Sequence, residues 1–249
     1  MIVVVPVDPP RPGLVLSSLA EETPLTVDAT ASLYEAAVTD VLRAAADSGG
    51  DLLINYRDGE TLPEKYAGGD PEAEVRTLAG AALEDVSTVR FERQVGSTRS
   101  ARVGNTVTHL LARENVDGVG VLEPTVPLVR RAEIDSAAMS MRRYDVVLGP
   151  SSGGRTYVAG FTAPIDFTDA YASPELATLA RRTADADLRL GFAPALPSVT
   201  AESGLCSTIA TLEARDVAER PGGEMTAAVA EDLGLEVGAD GSLEVDRDR

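Results

Sequence analysis

The sequence predicts a single α/β domain, a mainly parallel mixed sheet with helices on both faces. Three observations predict it. The chain opens on a β-branched run, Met1 to Val7, the pattern of a strand buried on both faces. Short apolar runs then alternate with amphipathic segments of helix length, the order that builds parallel sheets. At 249 residues the chain is long enough for one large core and shows no linker of domain-boundary length.

The elements follow in order. A Pro/Gly loop, Asp8 to Gly13, leaves the first strand. Asp28 is read as the N-cap of a helix over 29–46, with Leu33, Ala37, Val38, Val41, Leu42 and Ala45 on its apolar face and Gly49-Gly50 beyond its end. Leu52 to Tyr56 reads as the second strand. Residues 58–70 are polar and Gly/Pro-rich, a loop. A helix is expected over 72–83, a weaker strand over 89–94, and a helix over 101–114 with Val103, Val107, Leu110 and Leu111 on one side. Asp117 to Leu122 reads as a buried strand and 132–141 as a helix. Two strands then follow without a helix between them, 145–149 and 156–161. Pro174 sits where a first helical turn tolerates proline, and that helix runs to about Ala186. Leu188 to Phe192 is the last strand, and two helices, 202–218 and 224–233, close the fold. Residues 1–237 form the expected domain, and 238–249 a polar, frayed tail.

Composition excludes several function classes. Asp and Glu number 40 against 22 Lys and Arg, a net charge of −18, and every cation but Lys65 is arginine. So acidic a chain repels nucleic-acid backbones and anionic lipids, so neither is an expected partner. The acids are scattered, the pattern of a solvated surface suited to concentrated salt, with an acidic face for a basic partner as the other reading. No apolar run approaches a membrane span, and the first residues lack a signal-peptide flank, so a cytoplasmic location is expected. Cys206 and His109 are the single cysteine and histidine. They leave no thiolate metal cluster and no zinc site of the usual ligand type. Cys206 reads as a core residue. His109 reads as a structural helix residue, with general base as the alternative.

Ligands in open α/β sheets bind outside the carboxyl ends of the strands. That directs attention to Asp8–Gly13, Glu123–Pro127 and Pro150–Arg155. In the first loop Arg11 offers a fork to phosphate or is a plain surface charge. Gln94, Arg99, Arg102 and Asn105 gather at a helix start that could hold an anion or be a solvated turn. Gly149-Pro150-Ser151-Ser152-Gly153 matches a nucleophile elbow, but a strand rather than a helix follows it and His109 precedes it, so it reads as a turn.

The order of parts resembles the DUF2064 group of GT-A-like, Rossmann-like, nucleotide-diphosphosugar transferase-like proteins, over Met1 to about Leu212. The resemblance rests on Arg11-Pro12-Gly13, on Leu33, Tyr34, Ala36, Asp40 and Leu42, on Gln94 and Arg102, and above all on Asp145 to Pro150 followed by Gly153-Gly154 and Tyr157 to Gly160. It implies a nucleotide-sugar or related phosphorylated ligand, with Pro9, Arg11, Gly13, Arg102, Thr125, Gly153, Gly154 and Arg155 as candidate binding residues. The charged groups of the family depart. Its Lys-Thr-Arg-Leu stretch is Leu16-Ser17-Ser18-Leu19 here, its Gly-x-Asp-x-Pro turn carries Thr125 at the aspartate, and its Asp-Val-Asp-Thr segment is Ser198-Val199-Thr200-Ala201. Each cation or metal at a transferred phosphate is worth about a hundredfold or more in rate. The expectation is therefore a diverged, metal-independent ligand-binding protein of weak or no transferase activity, with no metal-ligating residues. One alternative is an active glycosyl- or nucleotidyltransferase using Glu123 as catalytic carboxylate with Asp8 and Asp166, and magnesium or manganese as cofactor. The other is a non-catalytic interaction protein. No oligomeric state follows from the sequence.

Overall fold

A computed structural model describes residues 1–246 of the chain. Seven strands form one sheet in the order β3-β2-β1-β4-β6-β5-β7: β1 Ile2–Val7, β2 Asp51–Tyr56, β3 Arg90–Arg93, β4 Val119–Leu122, β5 Val146–Pro150, β6 Thr156–Phe161 and β7 Leu190–Phe192. All neighbours pair parallel except β6, which runs antiparallel to both β4 and β5. The two adjacent strands read from the sequence are thus a hairpin inserted into a parallel sheet. Gly149 allows it to close, since a Cβ there would meet the Tyr157 ring at 2.3 Å.

The continuous apolar run of β1 follows from helices on both faces. Val3, Val5 and Val7 face α2 (Val27–Ala46), α3 (Pro71–Ala82) and α5 (Arg131–Ser140). Ile2 and Val4 point the other way, to α4 (Arg99–Ala112) and α6 (Glu175–Asp185). The connections β1–β2 and β2–β3 cross one face and β3–β4 the other. The chain therefore reverses direction between β1 and β4, and the carboxyl ends of those strands form a crevice.

Several boundaries differ from expectation for local reasons. Thr26, not Asp28, caps α2: its hydroxyl accepts from the Ala29 amide at 3.1 Å, and Asp28 sits in the first turn facing the positive helix end. Asp70 caps α3 with Pro71 at the first position. Pro174 is the N-cap residue of α6 rather than part of its first turn. A short helix, α1 (Ser17–Glu22), was not legible, because it starts from Leu16 in a left-handed conformation, φ 47°. After α7 (Glu202–Val217) and α8 (Glu224–Asp232), strands β8 (Leu235–Val237) and β9 (Leu243–Val245) pair as a hairpin. Residues 243–245, expected in a frayed tail, are thus ordered: Leu243 is buried beside Leu19, Leu33 and Leu205 in a third apolar cluster. The last three residues of that tail, 247–249, lie outside the described residues. Among the described residues no helix is long and apolar enough to cross a membrane.

Candidate functional site

A cavity of about 320 Å³ opens at the crevice between the ends of β1 and β4. The loop before α1 and the first turn of α1 cover one side, with Leu14 to Ser18 on the lining. Its floor is charged, and each charge has a structural reason.

Asp8 leaves β1 into the cavity. Its amide donates to the Tyr34 hydroxyl of α2 at 2.9 Å, and Arg57, just past β2, donates to its carboxylate at 3.3 Å. Burial pushes the Asp8 carboxyl above its ordinary value, against the pull of Arg57, Arg102 and Arg99.

Arg102 stands in the first turn of α4. Its Nε donates to the Gln94 side-chain oxygen at 2.7 Å. Gln94 is buried, and its amide nitrogen donates to the Asn55 carbonyl at 2.7 Å. Thr106 donates to the Asn55 side-chain oxygen at 3.1 Å, and Asn55 in turn donates to the Glu92 carbonyl at 3.1 Å. This buried relay fixes the Arg102 plane. Among the described residues Arg102 has no ion-pair partner, and burial, with Arg57 second, holds its pKa below the ordinary value.

Arg99, the first residue of α4, ion-pairs with Glu123 at the end of β4 and lies 3.8 Å from the Glu175 carboxylate of α6. Its guanidinium carbon is 5.1 Å from the centre of the Tyr171 ring, within cation–π range. Burial opposes its charge, but Glu123 and Glu175 outweigh burial and raise its pKa. Glu175 is buried, 4% exposed, and its carboxylate accepts from the Thr156 amide at 3.0 Å and from the Thr156 hydroxyl.

The opposite wall is neutral. The Thr125 and Ser198 hydroxyls lie 3.0 Å apart, and Ser198 donates to the Thr200 hydroxyl at 3.2 Å. These are the three positions at which the resemblance leads one to expect aspartates. They do converge in space, as hydroxyls that satisfy one another.

The predicted residues separate into two groups. Arg102, Thr125, Glu123 and Arg155 line the cavity together, and so does Asp8. Arg155 has no side-chain ion pair among the described residues; it follows Gly153 and Gly154, both left-handed, with φ 67° and 73°. Those two glycines, Pro9, Arg11 and Gly13 are not on the lining. Arg11 is turned away: Glu74 accepts its fork at 2.8 and 2.5 Å, and the Tyr66 carbonyl takes another nitrogen. Gly13, φ 75°, makes the tight turn against the Tyr66 hydroxyl. Asp166 pairs instead with Arg182 at 2.8 Å, in a groove of about 580 Å³ that also holds the exposed His109, whose Nε2 is 3.1 Å from Glu114. Arg57, Glu175 and Tyr171 were missed, because only the folded topology brings them against the lining residues Asp8 and Arg99. Arg99 and Arg102, both read from the sequence at a helix start that could hold an anion, do stand together there: two cations and no acid in a first helical turn, the wrong sign for the helix dipole.

Magnesium or manganese, the cofactor named with the relocated-carboxylate alternative, does not fit the donor set. Asp8 is paired with Arg57, and Glu123 with Arg99. Among the described residues no three Asp, Glu, His or Cys side chains converge where an ion could sit.

No family model matches the chain, and no curated protein matches it in sequence. Solved structures do. A candidate nucleotide-diphospho-sugar transferase from Desulfovibrio desulfuricans G20 aligns with a TM-score of 0.72 at 20% identity, covering 93% of this chain and 94% of that one. CMP:2-keto-3-deoxy-manno-octonic acid synthetase in complex with CTP aligns with a TM-score of 0.47 at 12% identity, over 86% and 98% of the chains. 4-Diphosphocytidyl-2C-methyl-D-erythritol synthase from Anaerococcus prevotii DSM 20548 aligns at 0.48 and 11%, over 86% and 96%. The first likeness shows the fold: this chain is a mixed α/β sheet of the nucleotide-diphospho-sugar transferase type.

Proposed function

We propose that the chain is a diverged relative of the GT-A-like transferases, of the DUF2064 kind, that binds a nucleotide, a nucleotide-sugar or another small phosphorylated ligand at the carboxyl-edge cavity, with weak or no metal-dependent transferase activity. The observation that carries this reading is Arg102. In a chain of net charge −18, a half-buried guanidinium is held by a buried amide relay, lines an open cavity and makes no ion pair among the described residues, Asp8 acting on it only at longer range. A cation so placed is available to an anion, and phosphate is the anion a planar fork matches best. Arg155 supplies the second positive contact, and the Ser17 and Ser18 hydroxyls lining the cavity supply neutral donors.

Titrating the purified protein with nucleotides and nucleotide-sugars at high salt, with and without magnesium or manganese, tests the reading. The expected result is saturable binding that Arg102→Met weakens. No binding across the panel ends it.

One observation favours a second reading, an active transferase: Glu123 and Asp8 reach the same cavity. Its test is a donor–acceptor screen in which Glu123→Gln abolishes product formation, and normal turnover in that variant counts against it. The open, charged cavity counts against a purely non-catalytic interaction protein, for which a filled apolar site would be expected.

A further inference from the structure

The cation at Arg99 opposes local physics, and that opposition points to a role. A positive charge in a first helical turn sits against the positive end of the helix dipole. It is held there by two carboxylates from two other elements, Glu123 after β4 and Glu175 at the start of α6, and by the face of Tyr171. Glu175 is itself locked by the amide and hydroxyl of Thr156. Oxygens from separate elements closing on one positive centre is the arrangement a protein builds around a metal ion. Here the centre is a guanidinium. On the facing wall the oxygens of Thr125, Ser198 and Thr200 are neutral and already engaged with each other.

We propose that Arg99 is the resident cation of this cavity: its guanidinium permanently holds the place between Glu123 and Glu175, so that the cavity excludes divalent ions and takes phosphorylated ligands without one. The exclusion stands on its own geometry; the ligand half rests on the reading above.

The physical case is competition for the same oxygens. A hard divalent ion needs about six oxygen ligands and gets most of its binding from carboxylates. The two carboxylates nearest Arg99 serve a group that stays charged at any relevant pH and that is covalently tethered, so its local concentration cannot be diluted. An incoming dication would have to displace the guanidinium and then tolerate it, with Arg102 also standing about one turn further along α4. The Tyr171 face stabilises an organic cation and offers a metal no lone pair in the ring plane's normal direction.

Manganese alone is the probe. Wild type and Glu123→Gln are titrated with Mn²⁺ in concentrated KCl, which suppresses binding to the acidic surface, and bound ion is read from the Mn²⁺ paramagnetic resonance signal. The two isotherms should superimpose. One Mn²⁺ per chain bound by wild type and lost in Glu123→Gln overturns the proposal. Arg99→Met, checked by circular dichroism, removes the tethered competitor. Folded Arg99→Met should bind Mn²⁺ at least about tenfold more tightly than wild type, as expected when a like charge is removed beside two carboxylates. Adding Glu123→Gln should cancel that gain. Folded Arg99→Met with wild-type affinity also overturns the proposal; if that variant does not fold, the first comparison decides alone. No phosphorylated ligand is present in these titrations, so their failure and the failure of nucleotide binding are separate results.

Discussion

The two walls of the cavity are built on opposite principles. On the wall made by β3 and α4, charge is held in place: Arg102 is fixed by Gln94, Gln94 by Asn55, and Asn55 by Thr106 and the Glu92 carbonyl. Where Thr125 meets the segment before α7, polarity is kept without charge, and three hydroxyls satisfy one another. The first arrangement costs folding stability, since it buries amides that must all be paired and a cation that burial disfavours. The second costs little. A chain retains the costly wall where the charge has a use, so anion recognition belongs to the α4 wall and the hydroxyl wall gives shape.

The largest effect should come from the cation that braces the α4 wall. Arg99→Met leaves Glu175 buried without its partner. Breaking a buried pair costs about 3–5 kcal/mol, and the one-third exposure of Arg99 brings the expectation to about 2–4 kcal/mol by urea denaturation at neutral pH. The loss should be pH-dependent. Burial raises the Glu175 carboxyl above its ordinary value, Arg99 lowers it and Glu123 raises it. Without Arg99 it rises further. An acid whose folded pKa exceeds its unfolded one binds protons more readily when folded, so stability is gained as pH falls through the folded pKa towards the unfolded value. The gap between Arg99→Met and wild type should therefore narrow from pH 7 towards pH 4.5. A gap that widens on acidification would mean that Arg99 is not the counter-charge of Glu175.

Arg102→Met should act on the ligand rather than the fold. Hydrogen bonds to charged groups contribute about 1.5–3 kcal/mol, so nucleotide affinity should fall about ten- to a hundredfold in a calorimetric titration. Arg102→Lys should recover only part of it, because an ammonium keeps the charge but not the bond that Nε makes to Gln94. Unchanged affinity in Arg102→Met would erase the contrast between the walls. Gln94→Leu is the sharper instrument. It leaves the Asn55 carbonyl without the Gln94 donor and Arg102 without its brace, for about 1–2 kcal/mol of stability and a smaller affinity loss than Arg102→Met.

Much of the fold was legible because it follows from burial. A strand with helices on both faces must be apolar at every position, and Met1 to Val7 said so. The hairpin at 145–161 was legible because two strand-like runs with a glycine turn left no room for a crossover helix. The site was legible only where residues close in sequence act together, as Gln94, Arg99 and Arg102 do. Arg57 and Glu175 lie far along the chain from Asp8 and Arg99, and only the strand order brings them in. Arg11 was misleading for the same reason: nothing local announces that Glu74, sixty-three residues on, takes its fork. The order in β9 was hidden because only two apolar residues, Leu243 and Val245, tie down a tail that is otherwise mostly polar. The resemblance singled out Thr125, Ser198 and Thr200, which pattern reading could not, and the fold brings the three together.

That convergence gives the smallest predicted effect and the most direct check on the comparison. Thr125→Val replaces a hydroxyl by a methyl of the same shape at a buried position. Ser198 loses one of its two partners but keeps Thr200 at 3.2 Å, so no hydroxyl on this wall is left wholly unpaired. The cost should be that of one neutral hydrogen bond, about 1 kcal/mol or less. Ligand affinity should stay within about twofold, because a neutral hydroxyl already engaged with a neighbour gives an anion little that water does not. An affinity loss as large as that of Arg102→Met would reverse the assignment: the hydroxyl wall, not the guanidinium, would then be where the ligand is recognised.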